Sequence, residues 1–68
     1  MPAPYTHRQQ VNVVTDALET AWQLCGSLTN AAHETAADYG FELTDDVWEA
    51  AHRQLHARIE AARSFRSA

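Results

Sequence analysis

The chain has few residues of several types, and each shortage excludes a class of protein. It has a single cysteine, Cys25, so no disulfide can form within the chain, and we expect a small buried apolar residue at this position. No apolar run approaches the ~20 residues that cross a membrane. The segment Met-Pro-Ala-Pro-Tyr-Thr at the start lacks the basic and apolar regions of a signal peptide. The sequence therefore predicts a cytoplasmic protein that does not bind a membrane.

Lysine is also absent, and the basic residues that are present lie near the two ends. The chain has 68 residues and a net charge of -4, with no arginine between Arg8 and Arg53. Eight carboxylates fall in that interval. A chain of this length makes one small domain, residues 1–68, which buries only about 60% of its unfolded surface. We expect a marginally stable acidic domain that gains from oligomerisation.

The first predicted helix begins with a capping box. Thr6 and Gln9 have the spacing at which each side chain bonds the backbone amide of the other residue. Residues on one apolar face then recur at intervals of three and four: Val11, Val14, Leu18, Ala21, Cys25, Leu28, Ala32, Thr35 and Tyr39. Gly40 suits the C-terminal cap, because glycine adopts positive φ easily. The pattern predicts helix 1 over about residues 7–39.

A second helix is predicted after a turn at residues 40–44. Thr44 is a good N-cap, and Asp45 and Asp46 complement the positive end of the helix. The apolar face of helix 2 contains Trp48, Ala51, Leu55, Ile59, Ala62 and Phe65. Helix 2 would cover about residues 45–65. The predicted fold is all-α, an antiparallel helical hairpin with a long helix 1 and a shorter helix 2.

The segment Cys25-Gly26-Ser27 leaves a second fold open. Gly26 and Ser27 are suited to end one helix and cap another, which would give a three-helix bundle with a break at Gly26-Ser27. The apolar spacing nevertheless continues across Gly26, and an internal glycine costs only about 1 kcal/mol. We therefore favour an unbroken helix 1.

An unbroken helix 1 would be too long for helix 2 to cover. It would measure ~50 Å against ~30 Å for helix 2, at 1.5 Å per residue. Its first turns would then lack a partner within the chain. We expect two hairpins to form a homodimeric four-helix bundle. The predicted dimer interface contains Val11, Val13, Val14, Leu18 and Trp22.

Helix 2 also carries Glu49, His52 and His56, spaced as neighbours on one helix face. In the hairpin, His33 would lie level with His52, and these four side chains together would resemble a zinc or iron ligand set. They would lie on the flank of the bundle, without the inward carboxylates of di-iron bundles. We therefore predict no metal site and no cofactor. A metal-binding helical bundle is the alternative function.

Six carboxylates surround the predicted turn with no cation among them, and we call this set the acidic turn: Glu34, Asp38, Glu42, Asp45, Asp46 and Glu49. Such a surface suits a basic groove on a partner protein. We predict partner binding by its members from Asp38 to Glu49. A further alternative is an acidic inhibitor of a nucleic-acid-binding complex, of the kind that mobile elements encode.

The arginines of helix 2 do not form a nucleic-acid surface. Their spacing distributes Arg53, Arg58, Arg63 and Arg66 around the helix, with no row of aromatic residues for base stacking. We expect no direct nucleic-acid binding, and we expect Arg63 and Arg66 to face Glu19 and Asp16 across the hairpin.

Nothing in the sequence supplies a nucleophile with an oxyanion hole, so no catalytic residue is predicted. The sequence predicts a non-enzymatic protein-protein interaction module, such as an accessory subunit, adaptor or inhibitor. It would act through the apolar face of helix 1 or through the acidic turn, on a partner with an apolar or basic groove.

Overall fold

A computed structural model describes the backbone of residues 5–67 and the side chains of residues 5–65. It contains three helices, α1 (His7–Gln23), α2 (Leu28–Tyr39) and α3 (Asp45–Ser67), and no strand within the described residues. Helix α1 packs against both α2 and α3. None of the helices in this part of the chain is both long and apolar enough to cross a membrane.

The structure corrects the prediction of an unbroken helix 1, because α1 ends at Gln23. The amide of Gly26 turns back to donate a hydrogen bond to the carbonyl oxygen of Ala21, at 2.8 Å. Cys25 adopts a φ of 57°, in the left-handed region that commonly ends a helix. The backbone therefore reverses at Cys25 and Gly26, and Cys25 is exposed instead of buried as predicted.

Helix α2 starts immediately after this reversal. The hydroxyl of Ser27 accepts a hydrogen bond from the amide of Asn30, at 3.2 Å, and so caps the new helix. The three-helix alternative with a break at Gly26-Ser27 is the correct one. An apolar spacing of three and four is compatible with one helix or two, whereas a reversal with its own cap lets α2 fold back onto α1.

Three other predicted helix ends are confirmed, while α3 ends at Ser67, two residues beyond the predicted end of helix 2. The backbone amide of Gln9 donates to the Thr6 hydroxyl at 3.2 Å, and the side-chain oxygen of Gln9 accepts from the backbone amide of Thr6 at 2.9 Å. These two bonds complete the capping box. Gly40 has a φ of 79° at the end of α2. The hydroxyl of Thr44 accepts from the amide of Val47 at 3.3 Å, so α3 begins where helix 2 was predicted to begin.

Aromatic contacts show that α2 runs antiparallel to α1. The ring of Tyr5, just before α1, lies 5.5 Å from the ring of Tyr39 at the end of α2. It also lies 6.1 Å from the ring of Phe41 in the following turn. The start of α1 and the end of α2 therefore meet at one end of the molecule, and the turn at Cys25 lies at the other end.

Polar contacts show that α3 runs parallel to α1. Gln54 donates to the side chain of Asn12 at 3.3 Å, and Arg58 donates to Asp16 at 2.8 Å and to Glu19 at 3.2 Å. Contacting residues move forward together along both helices, as they do only in a parallel pair.

This orientation overturns the predicted pairing of the basic residues. The hairpin placed Arg63 and Arg66 opposite Glu19 and Asp16, but Arg58 occupies that position. Arg63 lies 3.9 Å from Glu60 on its own helix instead. The prediction for the Arg66 side chain falls outside the described side chains. The pairing was wrong because an extra helix, α2, reverses the direction in which the last helix returns.

The core lies where the three helices meet. Its buried apolar side chains are Val11, Val14, Leu18, Ala21, Ala32, Ala36, Val47, Ala51 and Leu55. The first helix is thus covered by two helices of its own chain. Its valines therefore do not require a second molecule to cover them, and dimerisation stays a prediction.

The apolar spacing located most of this core and missed three buried positions. Ala36 and Val47 are buried although they lie beside the predicted faces. Thr15 is completely buried, and its hydroxyl donates to the carbonyl oxygen of Val11 at 2.7 Å. That bond satisfies the hydroxyl inside the helix, which allows a polar residue to take a core position.

Candidate interaction surfaces

Three of the most exposed large apolar side chains belong to one end of the molecule, where α1 turns into α2 and α3 ends. The exposed fractions are 52% for Trp22, 76% for Leu24 and 85% for Phe65. We call this surface the open end and define it by six residues: Trp22, Leu24, Leu28, Ile59, Ala62 and Phe65. Tyr39, with 45% of its surface exposed, lies at the opposite end.

Trp22 is the centre of the open end, because three clefts meet at its side chain. The first is a groove between α1 and α3, lined by Glu19, Trp22, Gln23, Arg58, Ile59, Ala62 and Arg63. The second lies beside the turn, against Cys25, Gly26 and Leu28. In the third, Trp22 and Leu28 face the α3 residues from His52 to Arg63.

The apolar face of α3 continues beyond the part of the helix that packs against the rest of the chain. Ile59, Ala62 and Phe65 follow at intervals of three and so share one side of the helix. Ile59 is partly buried, whereas Ala62 and Phe65 are exposed. The prediction that Ala62 and Phe65 belong to a covered face is therefore wrong for this chain alone, although the two residues do continue the apolar face of α3.

The charged rim of the open end carries both signs. Glu19 and Arg58 line the groove between α1 and α3, and Glu60 and Arg63 line the third cleft. The two carboxylates and two guanidinium groups cancel, so the chain's net charge of -4 comes from residues elsewhere. The hydrogen bond from Arg58 to Asp16 raises the pKa of the Arg58 guanidinium. Desolvation lowers this pKa, and the negative charges of Asp16 and Glu19 raise it further.

Most of the predicted dimer interface lies inside the chain. Val11, Val14 and Leu18 have 5% or less of their surface exposed, and Val13 is partly buried against the same core. Trp22 alone of the five predicted residues is largely exposed. Leu24 and Phe65 were not among the predicted interface residues. The sequence did place Leu24 on a second apolar row of helix 1, with Val13 and Ala17, which a dimer was expected to cover.

The acidic turn lies at the opposite end of the molecule from the open end. All six of its carboxylates are exposed. The ion pairs among the described residues use Asp16, Glu19 and Glu60, so none involves the acidic turn. Asp45 and Asp46 lie in the first turn of α3, as predicted, where their negative charges stabilise the helix by interacting with the positive end of its dipole.

The residues of the alternative metal site do not converge. The His52 ring packs 4.0 Å from the Trp48 ring, and its Nδ1 lies 3.0 Å from the Trp48 carbonyl oxygen. His33, Glu49 and His56 are exposed. In the part of the chain that the structure describes, no three His, Cys, Asp or Glu residues are grouped to hold a metal ion. The predicted convergence required His33 to lie level with His52, whereas His33 lines a cleft with Thr44, Asp45 and Trp48 at the start of α3.

Comparisons of the chain with protein-family models, curated proteins and solved structures gave no match. The open end and the acidic turn are the two candidate interaction surfaces of the described residues.

Proposed function

We propose that this protein is a non-enzymatic protein-protein interaction module that binds its partner through the open end. It would serve as an accessory subunit, adaptor or inhibitor. The observation that carries the proposal is the grouping of Trp22, Leu24 and Phe65, each more than half exposed, at one end of a 68-residue chain. Single exposed apolar residues are ordinary, but a group of them around a groove is typical of a binding site.

The form of the open end suits an apolar segment with charged flanks. The groove between α1 and α3 offers Trp22, Ile59 and Ala62 as its apolar surface. An amphipathic helix binds such a groove with its apolar face, and tryptophan frequently dominates the binding energy of an interface. Arg58 and Glu19 on the rim would select and orient the partner's polar groups.

The acidic turn supports a second candidate function, binding of a basic partner. Its carboxylates are exposed and take part in none of the ion pairs described above, so they are available to an arginine or lysine surface. An acidic inhibitor of a nucleic-acid-binding complex would act in this way. Such binding would weaken strongly as salt is added, whereas apolar binding at the open end would not.

Affinity capture with matched variants tests the two candidates. The immobilised full chain would be exposed to a lysate of the cells that produce it, beside Leu24→Ser and the double variant Asp38→Asn with Glu42→Gln. We expect Leu24→Ser to lose the recovered protein and the double variant to retain it. Loss with the double variant alone would contradict the proposal and make the acidic turn the binding surface.

A further inference from the structure

We propose that the open end binds a second copy of this chain, in a two-fold symmetric homodimer. This inference rests on the proposed function, because it names the occupant of the same surface. It differs from the predicted four-helix dimer, in which Val11, Val14 and Leu18 formed the contact. Those side chains are buried in the core, and the contact proposed here uses Trp22 and Phe65.

The shape of the open end suits contact with a second copy of itself. In a two-fold dimer the same patch meets itself, so it must contain both a projection and a recess that receives it. The open end has both: Phe65 projects with 85% of its surface exposed, and a groove runs between Trp22 and Ile59. Phe65 of each copy would enter the groove of the other copy.

The distribution of charge also favours self-association at the open end. Two copies of a chain with a net charge of -4 repel each other, and the acidic turn makes its own end the least favourable place for self-association. The rim of the open end, with Glu19 and Glu60 against Arg58 and Arg63, has no net charge. A patch of mixed sign can pair with itself. The ion pair between Arg63 and Glu60 is long, 3.9 Å, and both side chains are exposed, so Arg63 is available to a carboxylate of the second copy.

The size of the open end sets the affinity that we expect for the homodimer. The open end and its charged rim comprise ten residues, the six apolar residues defined above plus four charged ones. A standard interface uses roughly 20–30 residues on each side. We therefore expect a reversible dimer, half formed at micromolar concentration or above, and not a permanent one.

Sedimentation equilibrium of the full chain from micromolar to millimolar concentration tests the proposal. The wild type should pass from monomer to dimer, and Phe65→Ser should raise the dissociation constant at least tenfold, because the buried ring area is lost. Ala57→Ser, at an exposed position of α3 outside the clefts, serves as its control and should change nothing. Thermal unfolding of both variants shows that each monomer remains folded.

A pair of charge reversals isolates the electrostatic argument. Arg63→Glu and Arg53→Glu change the net charge equally, but only Arg63 lines the open end, while Arg53 is exposed elsewhere on α3. Arg63→Glu should weaken the dimer at least fivefold at low salt, and Arg53→Glu by less than twofold. Equal weakening by both reversals would mean general repulsion and would overturn the proposal.

The remaining outcomes separate this proposal from the proposed function. A wild type that stays monomeric throughout, or a dimer insensitive to Phe65→Ser, overturns the homodimer. If Leu24→Ser still abolishes capture of a different protein, the open end remains a binding surface whose occupant is that protein. If Leu24→Ser also has no effect on capture, the interaction function of the open end fails as well.

Discussion

Arg58 on α3 donates a hydrogen bond to Asp16 on α1 at 2.8 Å, a contact between two helices that run parallel. The same guanidinium nitrogen reaches Glu19 at 3.2 Å, one turn further along α1. Arg58 and Glu19 both line the groove between α1 and α3, so their contact lies at the start of the groove. One arginine between two carboxylates therefore shows the register of α1 against α3, and this register sets the shape of the groove.

Replacement of Arg58 by methionine tests the contribution of this cluster. Since about a third of the side chain is exposed, we expect a loss of about 0–1 kcal/mol. The hydrogen bond to Asp16 raises the pKa of Arg58, so its stabilising charge is fully present below the ordinary arginine pKa and is lost only as the pH rises through the raised one. The contribution of Arg58 to the free energy of unfolding should therefore depend on salt, and it should not change with pH between 7 and about 10. Thermal unfolding at low and high salt measures both, and a difference between variant and wild type that is unaffected by 1 M salt would contradict the ion-pair account.

Ser27→Ala tests the break between α1 and α2. The substitution removes the acceptor for the Asn30 amide, and loss of such a cap typically costs about 1 kcal/mol. For a domain of this size, that corresponds to a decrease in melting temperature of roughly 4–8 °C. Ser64→Ala, at an exposed position within α3, is the matched control and should have little effect. An unchanged melting temperature for Ser27→Ala would favour a helix that continues through Gly26.

Two leucines distinguish the core from the open end. Leu18 is completely buried, so Leu18→Ala should cost about 2–5 kcal/mol, enough to unfold a small domain. Leu24 has 76% of its surface exposed, and Leu24→Ala should change the free energy of unfolding by less than about 0.5 kcal/mol. Chemical denaturation of both variants gives the comparison. Equal losses would mean that Leu24 is covered in solution, as it would be if an oligomer persisted under the conditions used.

The acidic turn offers a test in which stability and binding should change in different ways. Asp38 lies in the last turn of α2, where the helix dipole disfavours a carboxylate, and Glu42 lies in the loop. Asp38→Asn with Glu42→Gln should therefore leave stability unchanged or slightly higher. If this surface binds a basic partner, the double variant should weaken that binding more at low salt than at high salt. Partner affinity that ignores both the substitutions and the salt would remove the acidic turn from the mechanism.

The sequence alone was enough to predict the features that depend on neighbouring residues. The capping box at Thr6, the left-handed Gly40 and the cap at Thr44 were all predicted, because each is completed within three or four residues. The apolar spacing likewise located Leu18, Ala32 and Leu55 in the core, since one face of a helix points in one direction whatever its partner.

Tertiary structure decided which helices meet and which apolar residues stay exposed. The spacing across Gly26 was equally compatible with one helix or two, and the break changed the hairpin into three helices. The break at Gly26 also let α2 and α3 cover Val14, and it reversed the direction of the last helix. This direction brings Arg58 to Asp16 and leaves Phe65 exposed. Helical periodicity records which side chains share a face, but it carries no information about the packing partner of that face, because any apolar surface of suitable shape can cover it.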